Sequence, residues 1–158
     1  MELKDLMEAF GAAFKIADLK PNDAGIYTVK IDEMKVSFAS DPDSPRLVTW
    51  GEVGALPPEG REKLFRVLLE SMYMGKATGG ATFCIDPETE TLSIFRSDPL
   101  PLLDLETFSA MLEKFANVLG EWRKIVADYR EVASKLEKVA AADEESLRQL
   151  RMSGFMQV

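Results

Sequence analysis

The sequence predicts an α+β fold: an antiparallel sheet flanked by helices, in the order α-β-β-β-α-β-β-α, with a long helix at the C-terminal end. Three observations predict it. Apolar residues recur at three- and four-residue steps near the N-terminus, over residues 59–74 and from Asp104 onward, as a helix with one buried face requires. Between these stretches lie short runs rich in β-branched and aromatic residues, one of them strictly alternating. The breaks between runs are filled with Pro, Gly, Asp and Asn, the residues that turns select.

Leu3, Leu6, Met7, Phe10, Phe14 and Ala17 share one face of a first helix, expected to end near Asp18. Lys20-Pro21-Asn22-Asp23-Ala24-Gly25 breaks it. Tyr27, Val29 and Ile31 then alternate with Thr28 and Lys30 as a half-buried strand. Met34–Phe38 and Leu47–Trp50 supply two more strands, separated by Asp41-Pro42-Asp43-Ser44-Pro45, and the three suggest a meander. Pro57-Pro58-Glu59 opens a second helix, since Pro at a first helical position loses no hydrogen bond. That helix is expected to reach Met74. Its two apolar stripes, Leu64, Leu68, Met72 and Phe65, Leu69, Tyr73, widened by Val67 and Met74, form an arc broader than one sheet face needs. A central core helix and a helix shared with a second subunit both fit that arc.

Gly75-Lys76-Ala77-Thr78-Gly79-Gly80 lacks the order of a phosphate loop, because a helix precedes the glycines and a strand follows them. It reads as a link. Ala81–Ile85, a turn at Asp86-Pro87-Glu88-Thr89, and Leu92–Phe95 read as a hairpin. Asp86, Glu88 and Glu90 lie in a loop without the length or glycine of an EF-hand, so they are assigned to a solvated turn. From Phe108 through Met111, Phe115, Val118, Trp122, Ile125, Tyr129, Val132 and Leu136 to Val139 the three-four alternation is unbroken, a heptad seam. A helix from Asp104 to Val139 would be ~54 Å long, against a radius of gyration of ~15 Å for a globule of this size. The part up to about Asp128 is expected to cover the sheet, and the rest to project, bend or pack on another chain. Ala140–Ser146 is expected to start one more short helix, ended by Ser153-Gly154. We therefore divide the chain at residue 130, with a helical extension over 131–158.

Composition excludes several kinds of function. The 158 residues include no His and one Cys, Cys84, so neither an imidazole-based catalytic arrangement nor a cysteine- and histidine-rich zinc site can be built within one chain. No cofactor is expected. Cys84, between Phe83 and Ile85, reads as a small buried hydrophobe. Lys and Arg number 19 against 27 Asp and Glu, a formal charge of -8, which argues against nucleic acid as a partner. The first residues lack a secretory signal, and no run of apolar residues is long enough for a bilayer span, so a cytoplasmic chain without membrane contact is expected.

Two stretches carry a family resemblance. Gly79-Gly80-Ala81-Thr82-Phe83-Cys84-Ile85-Asp86-Pro87-Glu88-Thr89 with Leu92-Ser93-Ile94, and Phe108–Val118 with Glu121-Trp122-Arg123, resemble the Gly-Gly-Ala-Thr strand, the Asp-Pro-Glu-Thr-Gly hairpin and the last helix of the class I type III secretion chaperones, typified by the Tir chaperone. The similarity spans roughly residues 1–130. Glu90 departs from the pattern, where Gly often stands, and Met72-Tyr73-Met74 lacks an Asn expected there. The extension past Asp128 is unusual for the family.

The resemblance implies a strongly twisted sheet and a homodimer, without enzyme activity, that holds the N-terminal segment of a secreted effector extended and ready for export. It implies the ATPase of the secretion apparatus as a further partner. Client contact is expected at Leu6, Phe10, Phe14, Phe83 and Ile94, on the exposed apolar side of the first helix and on the last hairpin. The dimer contact is expected at Phe65, Leu69, Met72 and Tyr73, with Trp50 nearby. Two rivals remain open on the sequence: a sensory or regulatory domain of the YbjN type, and a small-ligand-binding or enzymatic α+β domain, the latter without paired carboxylates at a diagnostic spacing.

Overall fold

The computed structural model describes residues 2–41 and 43–152. Helix α1 (Leu3–Ala13) is followed by strands β1 (Tyr27–Ile31), β2 (Met34–Ser40) and β3 (Arg46–Ala55), helix α2 (Arg61–Ser71), strands β4 (Thr82–Asp86) and β5 (Thr91–Pro99), and helix α3 (Leu105–Met152). The five strands form one antiparallel sheet in the order β1-β2-β3-β5-β4, so β3 is central and β1 and β4 are the edges. This is the expected α+β architecture with its long C-terminal helix.

Strand alternation decides which face carries the core. Leu47, Thr49, Gly51 and Val53 of β3 are buried and turn toward α3, while Val48 and Trp50 point the other way and are half-buried. Neighbouring strands follow the same phase through the pairs Phe38 with Thr49, Val36 with Gly51 and Gly51 with Ile94. Over this face lie α1 and α3. Phe108 joins them, edge-on to Phe10 at 5.1 Å and to Phe38 at 5.4 Å between ring centroids. Gly51 is where the helix comes closest. A Cβ there would overlap Leu119 Cδ2, so the missing side chain is what lets α3 settle on the central strand.

The helix ends differ from the sequence expectation, each for a local reason. α1 stops at Ala13, not near Asp18. Lys15 adopts the left-handed conformation at φ 54°, and the Lys15 and Ile16 amides donate to the carbonyls of Ala12 and Gly11, a Schellman closure built without glycine. α2 begins at Arg61, after Gly60 at φ 70°, and ends at Ser71 instead of Met74. A 3-10 turn, Tyr73–Gly75, follows, with Met74 at φ 58°. α3 is one helix of 48 residues, ~72 Å long. No separate helix starts at Ala140, because nothing in Ala140–Ser146 interrupts the backbone pattern; the expected stop at Ser153-Gly154 lies outside the described residues. Among the residues of α3 whose side chains are described, Val126 is the last buried one, with Tyr129 and Ala133 half-buried beyond it.

Carboxylates fix the turns. Asp104 caps α3, accepting from the Thr107 amide at 2.8 Å, while the Asp104 amide donates to Thr107 Oγ1 at 2.9 Å. Asp86 accepts from the Glu88 amide at 2.9 Å inside the hairpin turn. Glu90, at φ 53°, occupies the left-handed position of that turn and is held in place by a two-pronged pair with Arg61, at 3.0 and 3.1 Å. Hydrogen bonds from backbone amides lower the pKa of Asp104 and Asp86, and the Arg61 hydrogen bonds lower that of Glu90.

Groups depressed in the folded state stabilise it above their unfolded pKa values of about 4 and lose that contribution as pH falls through the folded values. The thermal midpoint should therefore be flat from neutral pH to about 5 and fall below about 4. Asp104→Asn combined with Asp86→Asn should flatten the fall, as read by circular dichroism. Gly51→Val should lower stability by about 1–3 kcal/mol, read as a lower urea midpoint, since overpacking forces α3 off β3.

Candidate peptide-binding groove and exposed helix face

Among the described residues, apolar surface remains on α1 and α2 after the core is filled, besides the seam of the far part of α3. The first surface is a groove of about 380 Å³ between the end of α1, the edge strand β1 and α3. Phe10, Ile16, Val29, Met34 and Leu112 form its apolar lining, and Phe14 stands at its rim, 56% exposed and 4.7 Å from Phe10 between ring centroids. The Schellman closure makes this rim. By ending α1 early it turns Ile16 into the groove and leaves Phe14 stacked on the core's outermost ring. Lys30, Asp32, Glu113 and Asn117 add polar groups around the opening. Strand β1 has β2 on one side only, so among the described strands its outer edge is free.

The second surface is the outer side of α2. Leu69 is 65% and Tyr73 78% exposed, Met74 and Val67 are exposed, and Phe65 is half-buried beside Leu69. Leu64 and Leu68 bury the opposite side. The broad apolar arc read from the sequence thus divides into an inward stripe and an outward one. Met72 belongs to neither, because its Sδ accepts from the Phe83 amide at 3.3 Å and ties the end of α2 to the edge strand β4.

The structure redistributes the residues expected at these surfaces. The expectation that Leu6, Phe10 and Ile94 present an exposed side is corrected: Leu6 and Ile94 are fully buried and Phe10 nearly so, because these residues sit under α3 and not outside it. Phe83 is half-buried against Trp122, ring centroids 4.9 Å apart, while the Trp122 indole donates to the Ala77 carbonyl at 3.0 Å. Phe14 alone of the five is prominently exposed. Of the other set, Leu69 and Tyr73 are exposed and Phe65 borders them, whereas Trp50 lies on the sheet face turned away from α3, opposite Ser37 and Phe95. Ile16, Val29, Met34 and Leu112 were absent from the sequence expectation, since their convergence depends on where α1 ends.

The chemistry of these surfaces is that of contact. Cys84 is half-buried, and desolvation raises its thiol pKa. Among the described residues no three His, Cys, Asp or Glu side chains converge as a metal site, and no helix is long and apolar enough to cross a membrane.

The five-stranded antiparallel sheet, the helices over it and the apolar groove beside an edge strand define the class of fold, α+β with a solvent-open apolar cleft. Residues 5–123 match the Tir chaperone protein (CesT) family, and the chain belongs to that family of type III secretion chaperones, whose members are not enzymes. No curated protein matches the sequence significantly. Solved structures with the same fold include the ExsC-ExsE complex, at 20% identity and a TM-score of 0.67, covering 80% of this chain and 97% of that one. The HopA1-SchA chaperone-effector complex matches at 18% identity and 0.62, covering 77% and 92%. A third match is the Yersinia pestis type III secretion chaperone SycH in complex with a stable fragment of YscM2, at 15% and 0.58, covering 75% and 97%.

Truncating the rim and the core should separate cleanly. Phe14→Ser should change stability by no more than about 0.5 kcal/mol, as exposed substitutions do. Phe108→Ala should cost about 3–5 kcal/mol. Urea unfolding followed by Trp fluorescence measures both.

Proposed function

We propose that this chain is a dimeric, cytoplasmic chaperone that binds the N-terminal segment of a type III secretion effector and keeps it extended for export. The groove between α1, β1 and α3, open beside an unpaired strand edge, is the observation that carries this reading. A strand added along β1 gains backbone hydrogen bonds whatever its sequence, and its side chains on one face drop into the apolar lining. Phe14 is the anchor we assign to client contact, with Ile16 and Met34 beneath it. Each bulky client residue buried there contributes about 1.5–3 kcal/mol, against ~2–5 kcal/mol for ordering the segment. Several anchors are therefore needed, and two copies of the groove supply them.

We assign the contact between copies to Phe65 and Leu69 on the outer side of α2 and Tyr73 in the 3-10 turn that follows it. Exposed aromatic and aliphatic side chains on successive turns match the composition of an interface core. The similar folds of the HopA1-SchA and ExsC-ExsE complexes support the effector as the partner class.

Co-expression with candidate secreted proteins, limited proteolysis and mass spectrometry of the protected fragment test the reading. An effector N-terminal fragment should be protected by the natural chain and lost with Phe14→Glu, while the thermal midpoint stays unchanged. A chain that protects no such segment but binds a small metabolite would overturn it. Leu69→Glu with Tyr73→Glu should halve the mass measured by light scattering at micromolar concentration, and a monomeric natural chain would remove the dimer from the proposal.

A further inference from the structure

Helix α3 runs on for 26 residues past Val126, a further ~39 Å. This stretch lies beyond the family match, which ends at residue 123. Its heptad phase does not change where the core stops. Phe108, Phe115 and Trp122 hold one position of the repeat against the core and Met111 and Val118 hold the other; Ile125, Val132 and Val139 continue the second position and are exposed by 44%, 56% and 59%. A projecting helix of this length is marginal by itself in water, and a 3.5-residue apolar repeat is matched by another helix of the same repeat, not by an extended peptide.

Charge narrows the occupant. After Arg123 the sequence carries six basic and six acidic residues, whereas residues 1–123 carry 13 and 21. The whole formal charge of -8 therefore falls within residues 1–123, and residues 124–158 are neutral, as is the stretch 127–140. An anionic membrane or a nucleic acid would call for a basic excess that the extension lacks. A second copy of the same segment approaches without the repulsion that the acidic domains exert on each other. The seam's flanks suit it as well: Ala133 and Ala140 on one side leave room for close approach, and Asp128 and Lys135 on the other are of opposite sign. The surface is continuous with α2. A groove of about 650 Å³ between the first turn of α2 and Tyr129, Val132 and Ala140 shares Glu62 with the apolar patch at Phe65 and Leu69.

We infer that residues 127–140 form a coiled-coil segment that pairs with the same segment of a second copy, carrying the contact between copies past the family domain. This rests on the two-copy reading above. It adds a second, helical contact that the α2 face does not require.

The test labels the middle of the segment. With Cys84→Ser and Ser134→Cys in the full chain, a nitroxide at position 134 should give an intermolecular distance under about 30 Å by pulsed dipolar spectroscopy, given helix axes about 8–10 Å apart. Val132→Glu with Val139→Glu, both on the exposed seam, should abolish that short distance and raise the dimer dissociation constant at least about tenfold, as loss of several apolar contacts does, with the thermal midpoint of the domain unchanged. A dimer whose labels lie farther apart overturns the inference, and if Leu69→Glu with Tyr73→Glu still splits that dimer, the α2 reading stands alone. A short distance that survives Leu69→Glu with Tyr73→Glu upholds the coiled coil and overturns α2 as the dimer contact. A monomeric natural chain overturns both.

Discussion

The close passage of α3 over β3 is the constraint on which the rest of the molecule depends. Gly51 gives no side chain to the interface, Leu119 fills the space, and the helix axis is fixed against the central strand. From that seat Phe108 reaches both Phe10 of α1 and Phe38 of β2, so one helix holds the first helix and the meander together. Trp122, two turns past Phe115 on the same seam, reaches the other end of the sheet through Phe83 and the Ala77 carbonyl. Moving α3 by the width of one methyl group disturbs the groove at one end and the hairpin at the other, because close-packed interiors transmit displacement instead of absorbing it.

Holding an unfolded chain sets two requirements that pull against each other: apolar surface must be presented, and it must not collapse inward or gather copies at random. α1 meets the first by stopping early, so that Phe14 is supported from below by Phe10 but left uncovered above. The acidic domain meets the second through general repulsion. The groove is small, about 380 Å³, room for one or two bulky side chains. On the function proposed above, affinity would come from repeated weak engagement along an extended segment, which can be released anchor by anchor.

The architecture was legible in the sequence because period and punctuation agreed there: alternation over Tyr27–Ile31, an Asp-Pro turn at Asp86-Pro87, and a heptad from Phe108 onward all appear as expected elements. The groove was not legible. Its shape follows from the left-handed turn at Lys15, a position where Lys gives no signal of a helix end, so Ala17 was placed on a helix that had already finished. The same difficulty hid the true standing of Leu6 and Ile94, since a periodic apolar residue reads alike whether a second helix covers it or water does. Glu90 is an intermediate case. The sequence shows only the departure from the usual Gly; the structure adds that the position is left-handed and that the Arg61 pair holds the side chain there.

The two edges of the sheet are treated differently. At β4 the Met72 thioether takes the Phe83 amide, a soft acceptor set where a neighbouring strand would place a carbonyl, while β1 has nothing across it among the described strands. A sheet with two open edges is a monomer for linear polymerisation, since each added strand exposes the next site. With one edge partly stoppered, growth by edge-to-edge stacking is hindered at one end. A strand added on the reading proposed above would then meet less competition at β1 than at β4, which gives the sheet a polarity of assembly and makes it a poorer template for copies of itself.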